Sequence, residues 1–231
     1  AKVLTVANSA FYGLQQEVTT VSRAIAVLGL NEVRSLVLAV GVKALTQNKN
    51  FPKEFGVSDY WQHQLTVAII ARHLAPLMGG LDADNLFTAG VLHDLGKLLT
   101  ALHRADDWRA IDALTREQHV SYSEAEEDYW GIEHGVLGSM VLGAWNLPVE
   151  ITEPVNWHHA PMHSPNHRRE ALVLCVADAM AHVVAEPDSF VHCPWRDVLG
   201  KFHLSDTDML EQVKALLLQH DPGLFAAGLA A

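Results

Sequence analysis

The segment GVLHDLGKLL, residues 90–99, places three polar side chains, His93, Asp94 and Lys97, inside an otherwise apolar run. Apolar residues recur around it at three- and four-residue spacing, which predicts one continuous helix over residues 83–102. A helix this apolar is expected to be buried, and a buried polar group needs a hydrogen bond, an ion pair or a metal ion. The segment therefore predicts a helical core with a polar centre inside it.

The same helical spacing continues along the rest of the chain, and alternating, strand-like runs are scarce. Residues that favour the start of a helix precede several of the apolar segments. These are Ser58, Asp82, Ser121 and Ser205. We therefore predict an all-α fold, with a single multi-helix domain over residues 1–186 and a C-terminal helical extension over residues 187–231.

The composition excludes several classes of protein. Hydrophobic residues make up 49% of the chain and charged residues 19%, which is enough apolar surface for a sizeable core and unlike a disordered protein. A formal net charge of −11 argues against binding to a nucleic-acid backbone. We find no membrane-length apolar run and no signal peptide. Cys175 and Cys193 form neither a CxxC pair nor a disulfide framework. We therefore expect a cytoplasmic protein that binds neither nucleic acid nor membrane.

Imidazoles and carboxylates interrupt several of the predicted helices. Besides His93 and Asp94, these are His63, His134, His158, His159 and Asp178. Together they suit divalent ions such as Fe, Mn, Zn or Ni, with enough ligands for one or two ions. The alternative is a set of scattered structural histidines, with Asp178 buried against Arg168, Arg169 or a helix N-terminus. Spacing alone leaves both interpretations open.

Several segments of the chain resemble a known family. HDLGK after a helix with His63, followed by His134, by His158 and His159 and then by Asp178, resembles the HD-domain metal-dependent phosphohydrolases. A closer resemblance covers nearly the whole chain and is to the HDOD domain, the HD-related output domain of bacterial signalling proteins. It rests on segments such as VLTVANSAFYG, VSRAIAVLGLNEVRSLVL, LFTAGVLHDLGKLL and VNWHH. The sequence begins inside the family's pattern, so we expect a domain that is incomplete at its N-terminus.

The resemblance assigns roles to individual residues. It implies that His63, His93, Asp94 and Asp178 hold one divalent metal ion (Fe, Mn, Zn, Ni or Mg), with Asp94 able to bridge to a second. His134, His158 and His159 would hold the second ion. Lys97 lies one turn beyond His93, where its ammonium could hold a substrate phosphate. The alternative for Lys97 is an apolar-packed stem with its head in water.

The resemblance implies two functions of different kinds. HDOD domains are usually signalling or scaffold modules that often lack some of the ligands, whereas this chain keeps a His or Asp at every position. The first function is therefore a signalling domain with a metal site, which binds a nucleotide or signalling proteins. The second is a metal-dependent phosphohydrolase acting on a nucleotide or another phosphoester. Cyclic di-GMP is not the expected substrate, since HHAPMHSPNHRRE stands where the cyclic di-GMP phosphodiesterases carry Gly-Tyr-Pro. His163, His167, Arg168 and Arg169 in that loop either face solvent or form a rim for phosphate.

Overall fold

The computed structural model describes residues 2–9, 12–46, 51–187 and 193–223, and within these ranges the chain is helical, without strands. This confirms the predicted all-α fold. None of the helices in these ranges has the length and apolar character that crossing a membrane requires. The helices are α1 (Lys2–Ala7), α2 (Val21–Leu28), α3 (Leu30–Thr46), α4 (Val57–Leu77), α5 (Ala83–Leu92), α6 (Leu95–His103), α7 (Ala105–Gln118), α8 (Tyr122–Trp130), α9 (His134–Ala144), α10 (Val149–Trp157), α11 (Arg168–Ala185), α12 (Trp195–Lys201) and α13 (Asp206–Gln219), with a 3-10 turn at Pro161–His163.

Most of the predicted helix starts are confirmed. The Asp82 carboxylate accepts the first free N–H groups of α5, Ser121 forms a capping box with Glu124 at the start of α8, and Ser205 caps α13. The prediction for Ser58 is wrong, because α4 already begins at Val57. In each confirmed case the side-chain oxygen satisfies backbone donors that the first turn leaves free.

Helix α4 lies at the centre of the fold. It packs against α5 and α11, and α10 packs in turn against α5, α9 and α11. Large apolar side chains of α4, such as Trp61, Leu65 and Ile70, are fully buried in one continuous core. Helix α6 packs against α9. Through these contacts six helices meet around the core: α4, α5, α6, α9, α10 and α11. Every residue of the predicted metal site lies on or next to one of them.

The predicted continuous helix over residues 83–102 is interrupted at His93 and Asp94, where α5 ends and α6 begins. In a continuous helix the Gly90 carbonyl would accept the Asp94 N–H. Instead the Gly90 carbonyl accepts a hydrogen bond from His93 Nδ1 at 2.8 Å, and the Asp94 N–H points to Gln64 Oε1 on α4 at 3.5 Å. The break turns both side chains toward the same region of the core.

The N-terminal segment that distinguishes the HDOD resemblance is attached by polar contacts. The Asn8 side chain exchanges two hydrogen bonds with the backbone of Val18, at 2.8 and 2.7 Å. The Tyr12 hydroxyl donates to Glu32 at 2.6 Å, and Glu32 also pairs with Arg72 on α4. These contacts tie the segment before α2 to α3 and α4.

Helices α12 and α13 extend the main core. They pack against α11 and each other, and α13 also contacts α4. Trp195, Leu199 and Val213 are buried in the same cluster as the side chains of α4 and α11. Of the predicted extension over residues 187–231, residues 188–192 and 224–231 lie outside the described ranges. The proposed boundary at residue 187 stays a prediction.

Gly96, the glycine of HDLGK, lies where α6 packs against α9. A Cβ atom on Gly96 would lie 2.1 Å from the carbonyl oxygen of His134, so only glycine lets α6 approach α9 this closely. We expect Gly96→Ala to lower the free energy of unfolding by about 1–3 kcal/mol, measured by urea denaturation. The control is Gly143→Ala on α9, where the added Cβ meets no described atom within 4 Å and helix propensity favours alanine. Equal stability of the Gly96 variant and the wild type would contradict the close packing.

Candidate metal centre

The structure brings all seven predicted ligands into one cluster. His63 comes from α4 and Asp178 from α11, while His93 and Asp94 lie between α5 and α6. His134 is the first residue of α9, and His158 and His159 directly follow α10. Among the described residues, three sets of side chains have possible ligand atoms within 4.8 Å of one another. Two of these sets contain only predicted ligands: His63 with His93 and Asp94, and His134 with His158 and His159. The third group adds His182 to His63 and Asp178.

Three of the imidazole rings are held in one orientation by hydrogen bonds at Nδ1. His93 Nδ1 bonds to the Gly90 carbonyl at 2.8 Å, and His158 Nδ1 bonds to the Val155 carbonyl at 2.7 Å. A carbonyl only accepts, so Nδ1 carries the proton in both rings and Nε2 keeps its lone pair. His134 Nδ1 lies 2.5 Å from the Glu126 carboxylate, which only accepts, so this nitrogen also carries a proton. Histidines that bind metals are commonly fixed in this way.

The Nε2 atoms converge on two carboxylates. His134 Nε2 lies 3.0 Å and His93 Nε2 lies 3.5 Å from Asp94 Oδ1. His63 Nε2 lies 3.9 Å from Asp94 Oδ2 and 3.0 Å from Asp178 Oδ1. Asp178 is therefore held among imidazoles, and the alternative pairing with Arg168 or Arg169 is not what the structure contains. Asp94 faces both halves of the cluster.

Unpaired polar atoms provide the test of whether the cluster fits a metal. No described group forms a hydrogen bond with Nε2 of His63, His93 or His158, or with Oδ1 of Asp94 or Asp178, although all five atoms are buried. Ligands of one ion at bond lengths of about 2.0–2.2 Å lie about 3–4 Å from each other. The separations above have this size. The donor set therefore fits a divalent ion, which would supply the partners that these atoms lack.

The charges also suit a cation. Burial opposes ionisation of Asp94, but His93, Lys97 and His134 hold its pKa well below the usual value. Asp178 likewise has a strongly lowered pKa, because its contacts with His63 and His93 outweigh burial. These two carboxylates are ionised at neutral pH.

The second group combines one charged and two neutral imidazoles. Burial and Lys97 oppose protonation of His134, but Glu126 and Asp94 raise its pKa to about 9. Burial, with the neighbouring His134 and His93, lowers the pKa of His158 to about 3. Burial and the adjacent His158 hold the pKa of His159 well below its usual value. Both rings therefore keep an unprotonated nitrogen at neutral pH, which is the form that binds metals.

Lys97 points into the cluster. Its ammonium lies 3.0 Å from Asp94 Oδ2 and 5.4 Å from the centre of the Tyr122 ring, and only 19% of its side chain is exposed. The alternative of a lysine with its head in bulk water is therefore wrong. Burial opposes the charge, but Asp94 and Asp178 raise the pKa of Lys97, so this cation stays charged beside the carboxylates.

A cavity of about 760 Å³ opens next to the cluster, a size typical of small-molecule sites. Lys97, His158, His159 and Asp178 are among the polar residues that line it. Its walls include apolar side chains from α11 and α12 together with Lys201 and several glutamates of the α8 region. Cys175 and Cys193, which are free thiols, also line it. A ligand in this cavity would therefore contact both the cluster and the C-terminal helices.

The loop after His159 is only partly a rim of the cavity. Of the four candidate residues, His163 lines the cavity, whereas His167, Arg168 and Arg169 are not among the lining residues. His167 instead lies 3.5 Å from Glu170. Arg169 extends toward Gly79, which follows the C-terminus of α4. Of the two alternatives for these four residues, a position on the rim of the cavity is compatible only with His163.

Sequence reasoning missed two residues at the cluster. Glu126 is fully buried and accepts both the backbone N–H and Nδ1 of His134, at 2.7 and 2.5 Å. Its position eight residues before His134 follows no helical spacing, so no pattern in the sequence indicates the contact. His182 lies 3.5 Å from Asp178. It stands four residues after Asp178 on the same helix face, and this spacing was a signal that could have identified it.

Comparisons with known proteins agree with this fold. The family model described as the HDOD domain matches residues 1–161. The chain belongs to the HDOD domain family. A curated protein of Treponema pallidum (strain Nichols), named only as uncharacterized, is 22% identical over 165 residues, which are 71% of this chain and 31% of that protein. The chain thus spans about a third of the length of this relative.

Solved structures of other proteins have the same fold. A candidate phosphohydrolase from Shewanella amazonensis SB2B is 23% identical with a TM-score of 0.77, covering 100% of this chain and 82% of its own. A candidate signal transduction protein from Marinobacter aquaeolei VT8 is 22% identical with a TM-score of 0.81, covering 100% of this chain and 52% of its own. At these identities the likeness shows the fold alone.

The Glu153 carboxylate anchors the loop that follows His159, and its charge depends on pH. Glu153 accepts hydrogen bonds from the Ser164 hydroxyl and from the N–H groups of Asn166 and His167, at 2.6–2.8 Å. Burial opposes ionisation, but these bonds lower the pKa of Glu153 from 4.5 to about 2. The stabilisation is therefore fully present above pH 4.5 and is lost as the pH falls toward 2.

We expect Glu153→Gln to lower the free energy of unfolding by about 2 kcal/mol at pH 7, because hydrogen bonds to a charged group are lost. The difference from the wild type should shrink as the pH is lowered across that range. Chemical denaturation at a series of pH values measures it, with the exposed Glu150→Gln on the same helix as control. A difference that does not change with pH would contradict the assigned role of the carboxylate.

Proposed function

We propose that this chain is a signal-transduction domain of the HDOD family that retains a divalent metal centre. The observation that supports the proposal is the set of buried Nε2 and carboxylate atoms that face one another without hydrogen-bond partners. Folding would bury these atoms at a high cost unless a cation joined them. A divalent ion would give all seven side chains a common partner.

The arrangement favours up to two ions. His63, His93, Asp94 and Asp178 would hold the first, and His134, His158 and His159 the second. Asp94 Oδ1 lies 3.5 Å from His93 Nε2 and 3.0 Å from His134 Nε2, so one carboxylate is within reach of both positions. Mixed imidazole and carboxylate ligands suit Fe, Mn, Zn or Ni, and carboxylates also accept Mg. The ion is bound by residues from several helices, so its binding energy adds to the stability of the fold.

Substitution of Asp94 tests the metal centre. We expect Asp94→Asn, which keeps the shape of the side chain, to lose most of the bound metal when it is purified without chelator and analysed by elemental analysis. In the wild type, removal of the metal should lower the melting temperature, because a ligand of the folded state is lost. The same treatment should have little effect on the variant.

The matched control is His103→Ala, an exposed histidine at the end of α6. It should keep the metal content and the melting shift of the wild type. Full metal content in Asp94→Asn, or a wild type that binds no divalent ion, would contradict the proposed centre.

A second candidate function is hydrolysis of a phosphoester, favoured by the position of Lys97 between the cluster and the cavity. A bound divalent ion would lower the pKa of a coordinated water and stabilise negative charge on phosphate oxygens. Lys97 would hold one phosphate oxygen as a point charge, and Asp94 would keep that ammonium in place. The apolar wall formed by α11 and α12 would receive the organic part of the substrate.

An activity panel separates the two functions. We expect metal-loaded protein to show no turnover of cyclic di-GMP, of other nucleotides or of simple phosphoesters, as for a signalling domain that binds its ligand or protein partner without hydrolysing it. The control is the double variant His93→Ala/Asp94→Ala. Turnover by the wild type that disappears in the double variant would establish the hydrolase instead. Cleavage of cyclic di-GMP would show that the Gly-Tyr-Pro segment is not required.

A further inference from the structure

His182 lies beside the proposed metal centre on its cavity side. It is one helical turn beyond Asp178 on α11, and its Nε2 lies 3.5 Å from Asp178 Oδ1. Its ring centre is 4.7 Å from that of His63. The ring lines the cavity, and half of its side chain is exposed. His182 is therefore the member of the cluster that is most open to solvent among those described above.

We propose that His182 is an additional ligand of the ion held by His63 and Asp178, coordinating it from the cavity side. The inference rests on the proposed metal centre. Donor atoms of His63, Asp178 and His182 all lie within 4.8 Å of one another. The separations of 3.0 and 3.5 Å measured from Asp178 Oδ1 are those expected between ligands of one ion.

The spacing along α11 supports this arrangement. Residues four apart on a helix present their side chains on the same face, so Asp178 and His182 can reach one ion without distortion of the backbone. His63 lies on α4, which packs directly against α11. The ion would thus be coordinated across the contact between the two central helices.

The position of His182 has a consequence for chemistry. A metal ion that acts in catalysis keeps a coordination position for water or substrate, whereas a structural ion has all its positions filled by the protein. A ligand on the cavity side occupies the position that faces an incoming molecule. His182 therefore makes the first ion less accessible to a phosphate, which agrees with a domain that binds metal without hydrolysing substrates.

A competition titration tests the inference. Zn²⁺ is titrated into metal-free protein in the presence of a chromophoric chelator, for the wild type, His182→Ala and His103→Ala. We expect His182→Ala to bind its tightest Zn²⁺ at least about tenfold more weakly, and His103→Ala to match the wild type. Cysteine is also a zinc ligand, so His182→Cys should recover much of the affinity, a rescue that a packing role does not give.

A spectroscopic measurement gives a second readout. In Co²⁺-loaded protein, inorganic phosphate should change the visible absorption of His182→Ala at lower concentrations than that of the wild type, since one coordination position is open. Equal Zn²⁺ affinity of His182→Ala and the wild type, while Asp94→Asn loses metal, would overturn the role of His182 and leave the metal centre standing. A wild type that binds no Zn²⁺ would overturn both.

Discussion

The burial of the Asp94 carboxylate is the constraint on which the rest of the structure depends. A charged carboxylate in a helical core is costly unless opposite charges or ligands surround it. Its partners come from three directions: Lys97 from the next turn of α6, His134 from α9 and His63 from α4. The Lys97 contact is local to the start of α6, but the contacts with His134 and His63 form only when α9 and α4 pack next to it. The helix packing that compensates the charge of Asp94 is therefore the same packing that closes the core. Gly96 allows it, because α6 can meet the His134 backbone with no side chain between them.

The histidine rings divide into two kinds according to what orients them. His93 and His158 are fixed by carbonyls three residues earlier in their own chain segments, so their orientation follows as soon as the ends of α5 and α10 form. His134 is fixed by Glu126, on α8, through both its ring and its backbone N–H. The orientation of His134 therefore depends on the packing of α8, whereas the rings of His93 and His158 are set locally. Disturbing α8 should therefore affect the orientation of His134 more than that of His93 or His158.

The sequence predicts the fold well, because apolar spacing and capping residues are local signals. It also identifies His63, His93, Asp94, His134, His158, His159 and Asp178 as a set, but the family resemblance, more than spacing, joined them. Their convergence is a geometric finding, since helix periodicity does not say which faces of distant helices meet. The interruption at His93 and Asp94 was not predictable from local pattern, because Gln64, thirty residues away in sequence, receives the Asp94 N–H. Glu126 was missed for the same reason. For Arg168 and Arg169, which follow His159 in the sequence, two environments were considered, solvent and a bound phosphate. Both side chains are exposed, so solvent was the better expectation.

Whether such a centre serves hydrolysis or signalling depends less on the number of ligands than on where they stand relative to the cavity. The cavity is lined by Lys97 and by three of the proposed ligands, His158, His159 and Asp178, and also by residues of α11 and α12 such as Leu172, Val198 and Lys201. A molecule bound there contacts the centre and a helix outside the family-model match at the same time. A ligand changes a protein's state only through contacts that differ between its states, and contacts with two separately packed elements can supply such a difference. The cavity that would place a substrate for hydrolysis thus also links the proposed metal centre to the C-terminal helices, and the proposed signalling function requires only that link.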